Sequence, residues 1–158
     1  MTTDRDTAGV IAPPPLIYLG FLLAGWGLSQ ALGGPDDLGL EPQVRRIAAF
    51  ALIVTGLVIE GSAANQFRRL GTRMEPWKPT TALSTDGLYR FSRNPIYVGF
   101  TLMYLGFAVA MDSLIAVAFI VPCLIVVDRF VVQREERYLT GKFGGEYDAY
   151  RARVRRWL

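Results

Sequence analysis

The chain has 158 residues, of which 51% are hydrophobic and 20% are charged, and its formal net charge is +3. The length suits one domain over residues 1–158, and the charges lie in blocks between long apolar runs. The sequence has no histidine and one cysteine, Cys123. This excludes an internal disulfide, a histidine general base and a metal centre built from histidines or thiolates.

Long apolar runs occupy residues near 14–32, 47–65, 95–111 and 114–133. Each approaches the ~20 residues that a helix needs to cross a ~30 Å hydrocarbon core. A soluble bundle is the alternative, but its helices would carry polar faces that these runs lack. The predicted fold is therefore all-α: a polytopic membrane helix bundle of about four transmembrane helices and a cytoplasmic C-terminal amphipathic helix. We expect the first two spans to form an antiparallel pair.

The distribution of Lys and Arg predicts the orientation of the spans. The connection 33–43 contains neither residue, whereas the connection 66–95 and the chain after the fourth span are rich in both. Because such basic segments stay on the cytoplasmic side, we expect both termini in the cytoplasm. Arg45 and Arg46, at the outer end of the second span, are expected to snorkel to the interface. Basic residues that border spans meet anionic membrane lipid, so we expect no nucleic-acid partner.

The connections between spans differ in character. Residues 71–86 contain Pro76 and Pro79 and are predicted to form a cytoplasmic loop, because proline interrupts a helix. The third and fourth spans are separated by about residues 111–113, which predicts a tight helical hairpin. Pro122 lies within the fourth span and is expected to break one backbone hydrogen bond and to kink the helix.

The tail carries the pattern of an amphipathic helix. Phe143, Tyr147, Tyr150 and Val154 stand at offsets 0, 4, 7 and 11, which is one helical face. We expect this face to pack on the protein or to lie on the membrane surface.

A first polar cluster stands at the start of the third span. It comprises Tyr89, Arg90, Ser92, Arg93, Asn94 and Tyr97. Asn94 or Ser92 can cap that helix, and Pro95 suits its first turn. A helix N-terminus can also hold a carboxylate through its free N–H groups and partial positive charge. The alternative is an ordinary cap flanked by snorkelling arginines.

A second polar cluster stands at the exit of the fourth span. Helical spacing places Arg129, Gln133 and Glu136 on one face, and Asp128 and Glu135 on another. The alternative to a site is an internal Asp–Arg pair and a solvated acidic turn. Because the hairpin returns the chain to the same side, we expect the two clusters to lie close together.

Glu60, in the second span, is a further candidate for this site. It can instead pair with an arginine such as Arg68. The sequence leaves both interpretations open.

Two motifs together carry a family resemblance. "GLYRFSRNPIYVG" at 87–99 is followed by the hairpin and then by "REERYLTGKFGGEYDAYRARVRRWL" at 134–158. This pair resembles the isoprenylcysteine carboxyl methyltransferase family, whose bacterial members share the motif with phospholipid N-methyltransferases. The resemblance covers residues 67–158, whereas the first two spans match as hydrophobic helices alone.

The resemblance implies an integral-membrane methyltransferase that uses S-adenosylmethionine without a Rossmann domain and releases S-adenosylhomocysteine. Its cofactor region would be residues 87–158, in a single membrane methyltransferase domain. The implied acceptor is a lipophilic small molecule or prenylated substrate that presents a carboxylate, thiol or amine. The implied location of this bacterial type is the inner membrane.

The resemblance also assigns roles to residues at matching positions. The cofactor-binding positions are Tyr89, Arg93, Asn94, Pro95, Tyr97, Gly99, Glu135 and Tyr147. The catalytic candidates are Glu136, Lys142 and Arg156: Glu136 as the base for an amine or thiol, and Lys142 or Arg156 to orient a carboxylate. Two positions depart from the family pattern, since the eukaryotic form usually has histidine in place of Asn94, and Lys142 stands near a catalytic arginine of some relatives.

Two other functions fit the same sequence. Sterol reductases that use NADPH keep a similar membrane hairpin, although the small size of this chain argues against that class. A non-enzymatic small membrane protein is the second alternative.

Overall fold

The computed structural model describes residues 7–33, 36–69, 71 and 80–158. The helices are α1 (Pro14–Leu32), α2 (Pro42–Arg69), α3 (Pro95–Ala110), α4 (Leu114–Phe143) and α5 (Gly145–Arg153), with a 3₁₀ turn at Gly87–Arg90 before α3. Those residues include no β-strand. Residues 72–79 of the predicted loop 71–86, which include Pro76 and Pro79, lie outside the described residues.

The predicted all-α membrane fold is confirmed. By length and composition, α1, α2 and α4 can each cross a membrane. Helix α3 is equally apolar but has 16 residues. At 1.5 Å per residue it is about 24 Å long, somewhat shorter than the hydrocarbon core.

Helix α3 lies between the other spans because its two faces differ. Gly99 and Gly106 face α2, whereas Tyr97, Thr101 and Tyr104 face α1 and the start of α4. Residues three or four positions apart share a helix face, so each set forms one stripe. The stripes start two residues apart, which places them on opposite sides of the helix.

Helix α1 packs on α3 and α4, so the predicted pairing of the first two spans is wrong. The Tyr18 hydroxyl donates to the carbonyl oxygen of Tyr97 at 3.2 Å. Gly25 lets α1 approach α4 so closely that a Cβ there would lie 2.9 Å from the Ala116 Cα. Helices α1 and α2 are thus separated, because each packs on a different face of α3.

Helices α2 and α3 meet along a seam of small residues. A Cβ on Gly56 would lie 2.6 Å from the Gly99 carbonyl oxygen, and one on Gly99 would lie 2.8 Å from the Gly56 carbonyl oxygen. Such close backbone approach is how membrane helices gain van der Waals contact when no hydrophobic driving force exists between them. The seam fixes the position of the C-terminal half of α2 beside the start of α3.

Acidic residues stabilise the end of the bundle where the α1–α2 connection meets the turn between α3 and α4. Arg45 forms an ion pair with Asp112 instead of snorkelling alone. Asp36 accepts hydrogen bonds from the Ser113 hydroxyl at 2.6 Å and from the Ile115 N–H at 2.9 Å. The connection between α1 and α2 therefore caps the N-terminus of α4.

Helix α4 changes its hydrogen bonding twice. Regular helix over Leu114–Ala118 is interrupted at Phe119 and resumes over Ile120–Val127. Pro122 supplies no N–H to the preceding turn, which accounts for this interruption. A π-helical segment then spans Asp128–Val132 before α-helix resumes at Gln133.

The glycine seam predicts that Gly56→Ala destabilises the protein by about 1–3 kcal/mol, because its new Cβ meets backbone atoms that cannot yield. Gly61→Ala is the matched control, since a Cβ there meets nothing within 4 Å. Thermal unfolding in detergent should show a lower Tm for Gly56→Ala alone. Equal Tm values for the two variants would contradict the seam.

The cap by Asp36 predicts a pH-dependent difference in stability. Hydrogen bonding from Ser113 lowers the pKa of Asp36 below its usual value. A lowered folded-state pKa contributes stability above the unfolded pKa of about 3.9, and this contribution is lost as pH falls below it. Asp36→Asn should therefore lower the Tm at pH 7, and the gap to the wild type should narrow toward pH 3. A gap that stays constant over this range would rule out the charged cap.

Candidate functional site

A cavity lies where the end of α2, the start of α3, the end of α4 and α5 meet. Its apolar and aromatic wall is formed by Phe67, Ala82, Leu83, Tyr89, Ile96, Tyr97, Leu139, Tyr147 and Tyr150. Its polar groups are Thr80, Ser84, Arg93, Asn94, Glu135 and Glu136. Part of each predicted polar cluster thus lines one cavity: Tyr89, Arg93, Asn94 and Tyr97 from the first, and Glu135 and Glu136 from the second.

The tail helix closes the cavity with its aromatic face. Tyr147 and Tyr150 are buried in one cluster with Tyr89, and Phe143 and Val154 pack on it, which confirms the predicted amphipathic face. The Tyr150 hydroxyl donates to the Tyr89 carbonyl oxygen at 2.8 Å.

These phenols keep their protons at neutral pH. Burial raises the pKa of Tyr147, and the negative charge of Glu136 raises it further. Burial likewise raises the pKa of Tyr89 well above its usual value. The aromatic wall is therefore uncharged and can donate hydrogen bonds.

Glu136 is buried and is held between two arginines. Its Oε1 lies 2.9 Å from Arg93 Nη1, on the cavity side. Arg156 donates to both of its oxygens, at 3.1 Å from Nε and 2.7 Å from Nη2. Arg156 also reaches Asp128, with Nη1 3.2 Å from Oδ1. Arg93, Glu136, Arg156 and Asp128 thus form a chain of alternating charges, which we call the charge chain.

The π-helical segment decides which residues of α4 join this chain. Gln133 Nε2 donates to Asp128 Oδ2 at 2.7 Å, a contact between positions i and i+5. The grouping predicted from regular helical spacing, with Arg129 beside Gln133 and Glu136, is therefore wrong. A π turn contains more residues than an α turn, so it rotates Asp128 into the place predicted for Arg129.

The C-terminal segment around Arg155 and Arg156, which we call the strap, lies across the start of α3. The Arg93 N–H donates to the Arg155 carbonyl oxygen at 2.9 Å, and Asn94 Nδ2 donates to the Arg156 carbonyl oxygen at 2.9 Å. Asn94 occupies the N-cap position without a side-chain cap, and Ser92 Oγ accepts from the Asn94 N–H at 3.1 Å. The predicted capping of α3 by Asn94 or Ser92 is therefore wrong, because the strap engages the Asn94 amide.

Unsatisfied polar atoms are concentrated in the cavity. In the part of the chain that the structure describes, the buried side-chain atoms without a hydrogen-bond partner are Ser84 Oγ and the Nε and Nη1 of Arg93. Both residues line this cavity. Arg93 Nη1 is close to Glu136, but the geometry is that of an ion pair without a hydrogen bond. Buried donors left unsatisfied are costly, so they mark a place where a polar ligand fits.

Most of the predicted site residues line the cavity. These are Tyr89, Arg93, Asn94, Tyr97, Glu135, Glu136 and Tyr147. Pro95 instead forms the first turn of α3, and Gly99 lies in the seam with α2. Arg156 lies beyond Glu136, on a separate polar groove. Lys142 is exposed, and its Nζ donates to the Tyr138 hydroxyl at 3.0 Å.

Sequence analysis did not assign Phe67, Leu83, Ser84 or Tyr150 to the site. Tyr150 was identified as part of the apolar face, and that face could have indicated a cavity wall. Nothing in the local pattern distinguishes Ser84 from other small polar residues of its loop. Its position depends on a tertiary contact.

The comparisons with known proteins agree with this geometry. The phospholipid methyltransferase family model matches residues 44–146. The chain belongs to the phospholipid methyltransferase family. The matched segment covers the seam, the hairpin and most of the cavity, and the family is one of membrane methyltransferases.

Two relatives show how far the similarity reaches. The chain is 35% identical over 63 residues to an uncharacterized protein of Haemophilus influenzae, which covers 40% of this chain and 100% of that protein. It is 36% identical over 75 residues to the protein-S-isoprenylcysteine O-methyltransferase of Schizosaccharomyces pombe. That match covers 46% of this chain and 30% of the yeast protein, so the chain spans less than a third of that relative. The resemblance to the isoprenylcysteine methyltransferases is confirmed.

The charge chain predicts that Asp128→Asn loosens the C-terminal strap. Arg156 would lose one of its two anionic partners, so the segment should open more often. Limited trypsin digestion in detergent should then cut at Arg155 and Arg156 a few times faster, as measured by intact-mass spectrometry. Asp148→Asn, on the exposed side of α5, is the control, and equal rates in the two variants would contradict the role of Asp128.

Proposed function

We propose that this membrane methyltransferase uses S-adenosylmethionine, bound in the cavity, to methylate a lipophilic acceptor, and releases S-adenosylhomocysteine. The observation that carries the proposal is the coincidence of unsatisfied buried polar atoms with an aromatic wall. Ser84 and Arg93, whose Oγ and Nε are buried without a hydrogen-bond partner, line a cavity that Glu135 and Glu136 also line. This set of groups complements the three parts of S-adenosylmethionine, which are a zwitterionic amino-acid group, a cationic sulfonium and an aromatic adenine.

The residues present fit each part of that ligand by chemistry. The guanidinium of Arg93 suits its carboxylate, because the planar fork binds carboxylates through two parallel hydrogen bonds. Glu135 suits its ammonium group. Tyr89, Tyr147 and Phe67 suit its adenine and its sulfonium, since aromatic faces attract cations. When bound, this cofactor supplies an electrophilic methyl group.

The contribution of the protein is alignment and exclusion of water. The cavity is closed by the aromatic face of α5 and by the strap, which hold its lining residues in place. A displacement at a methyl group requires the nucleophile to be in line and the site to be dry. We assign no covalent step to any residue.

The two carboxylates have different surroundings. Glu136 is engaged by Arg93 and Arg156, and we assign it an anchoring role. Glu135 accepts one hydrogen bond, from the Tyr97 hydroxyl at 2.5 Å. Its remaining lone pairs leave it free to hold the ammonium group of the cofactor, so we assign neither carboxylate as a base for an amine or thiol acceptor. A carboxylate acceptor would need no base.

The comparisons support a lipophilic acceptor and a membrane location. The family name refers to phospholipids, and the name of the yeast relative refers to a prenylated cysteine. We propose a lipophilic small molecule or prenylated substrate. We further propose the bacterial inner membrane with both termini cytoplasmic, because the cavity opens at the end of the bundle where basic residues are concentrated.

The experiment that tests this proposal is calorimetric titration of S-adenosylhomocysteine into the detergent-purified protein. We expect binding in the micromolar range, and Arg93→Lys should weaken it about tenfold because a lysine cannot replace the bidentate fork. Arg90→Lys is the matched control, since Arg90 is exposed in the neighbouring 3₁₀ turn and does not line the cavity.

Three outcomes would contradict the proposal. They are no binding to folded wild-type protein, an equal loss in both arginine variants, and unchanged affinity and turnover in both Glu136→Gln and Asn94→Ala. A rise in Tm with NADPH in place of S-adenosylhomocysteine would favour a reductase.

A further inference from the structure

The π-helical segment of α4 creates a second polar position, on the outside of the bundle. Asp128 faces inward to Arg156 and Gln133. Arg129, the next residue, is exposed at one end of a groove between α3 and α4. Consecutive helical residues point in different directions, so Asp128 reaches the charge chain while Arg129 is exposed.

The groove is apolar along its length. Val98 and Leu102 of α3 form one side, and Leu124 and Ile125 of α4 form the other. Ile125 is 56% exposed, so this surface faces the surroundings of the bundle. From Leu124 to Arg129 the groove extends about 7 Å along the helix axis.

This groove is separate from the cavity described above, because no described residue lines both. The other residues that line it are Thr101, Asp128, Trp157 and Leu158. Asp128 is already engaged by Arg156 and Gln133. Arg129 forms no hydrogen bond or ion pair with any residue within 7–33, 36–69, 71 and 80–158.

An arginine in this position is well placed to bind an anion. It lies on a helix that is long and apolar enough to cross the membrane, near the end of its apolar part. Ionisable groups at such depth are costly unless they are paired or reach the headgroup layer. The guanidinium group matches a phosphate through two parallel hydrogen bonds.

We propose that the groove binds a phospholipid of the surrounding leaflet. Its phosphate contacts Arg129, and the first part of one acyl chain lies between Val98, Leu102, Leu124 and Ile125. The charge of Arg129 complements the phosphate of such a lipid, and the apolar walls complement its acyl chain. This site does not depend on the proposed use of S-adenosylmethionine.

Native mass spectrometry of the delipidated protein in detergent, titrated with phosphatidylglycerol, tests the proposal. We expect one lipid to be retained, and Arg129→Gln should weaken its binding about tenfold through loss of the charge-assisted contact. Arg137→Gln is the control, because Arg137 is exposed on the same helix and lines another groove. Leu102→Trp should also weaken retention by filling the groove, whereas Val121→Trp, exposed on α4 outside it, should not.

Each alternative gives a distinct result. Equal losses in Arg129→Gln and Arg137→Gln, or in the two tryptophan variants, would overturn the site. Retention of diacylglycerol as strong as that of phosphatidylglycerol would show an apolar groove without phosphate recognition, and displacement by inorganic phosphate would show an anion site without a chain. An unchanged Tm of Arg129→Gln in detergent is expected and shows that the variant folds.

Discussion

The Glu136 carboxylate, held between the guanidinium groups of Arg93 and Arg156, is the interaction on which the site depends. Arg93 comes from the start of α3, Glu136 from the end of α4 and Arg156 from the C-terminal segment. A buried carboxylate is tolerable only when it is paired, so each arginine is required where it lies. One charge therefore fixes the relative positions of three separate segments around the cavity.

The ligand role that we propose for Arg93 is compatible with its ion pair. Its Nη1 is anchored by Glu136, whereas its Nε has no hydrogen-bond acceptor. An anchored but unsatisfied donor is preorganised, because its orientation is fixed before a ligand arrives. Arg156 does not line the cavity, and it contributes by fixing the position of Glu136.

The π-helical segment at Asp128–Val132 links the inside of the bundle with its outside. It brings Asp128 into the charge chain and turns Arg129 to the groove. The seam of Gly56 and Gly99 complements it, because close approach of α2 and α3 brings Phe67 to the cavity wall. Two local features of the helices thus set both the site and the outer surface.

The sequence by itself determined the apolar spans, the hairpin and the aromatic face of the tail. These follow from composition and from the helical period, which are local properties. The motif at 87–99 and the acidic pair also identified most of the polar residues of the cavity. The tertiary structure alone decided that α1 packs on α3 rather than on α2, and that the strap uses Asn94 in place of a cap. It likewise decided the register of Asp128 and Arg129, because one π turn breaks the period from which the sequence assigns faces.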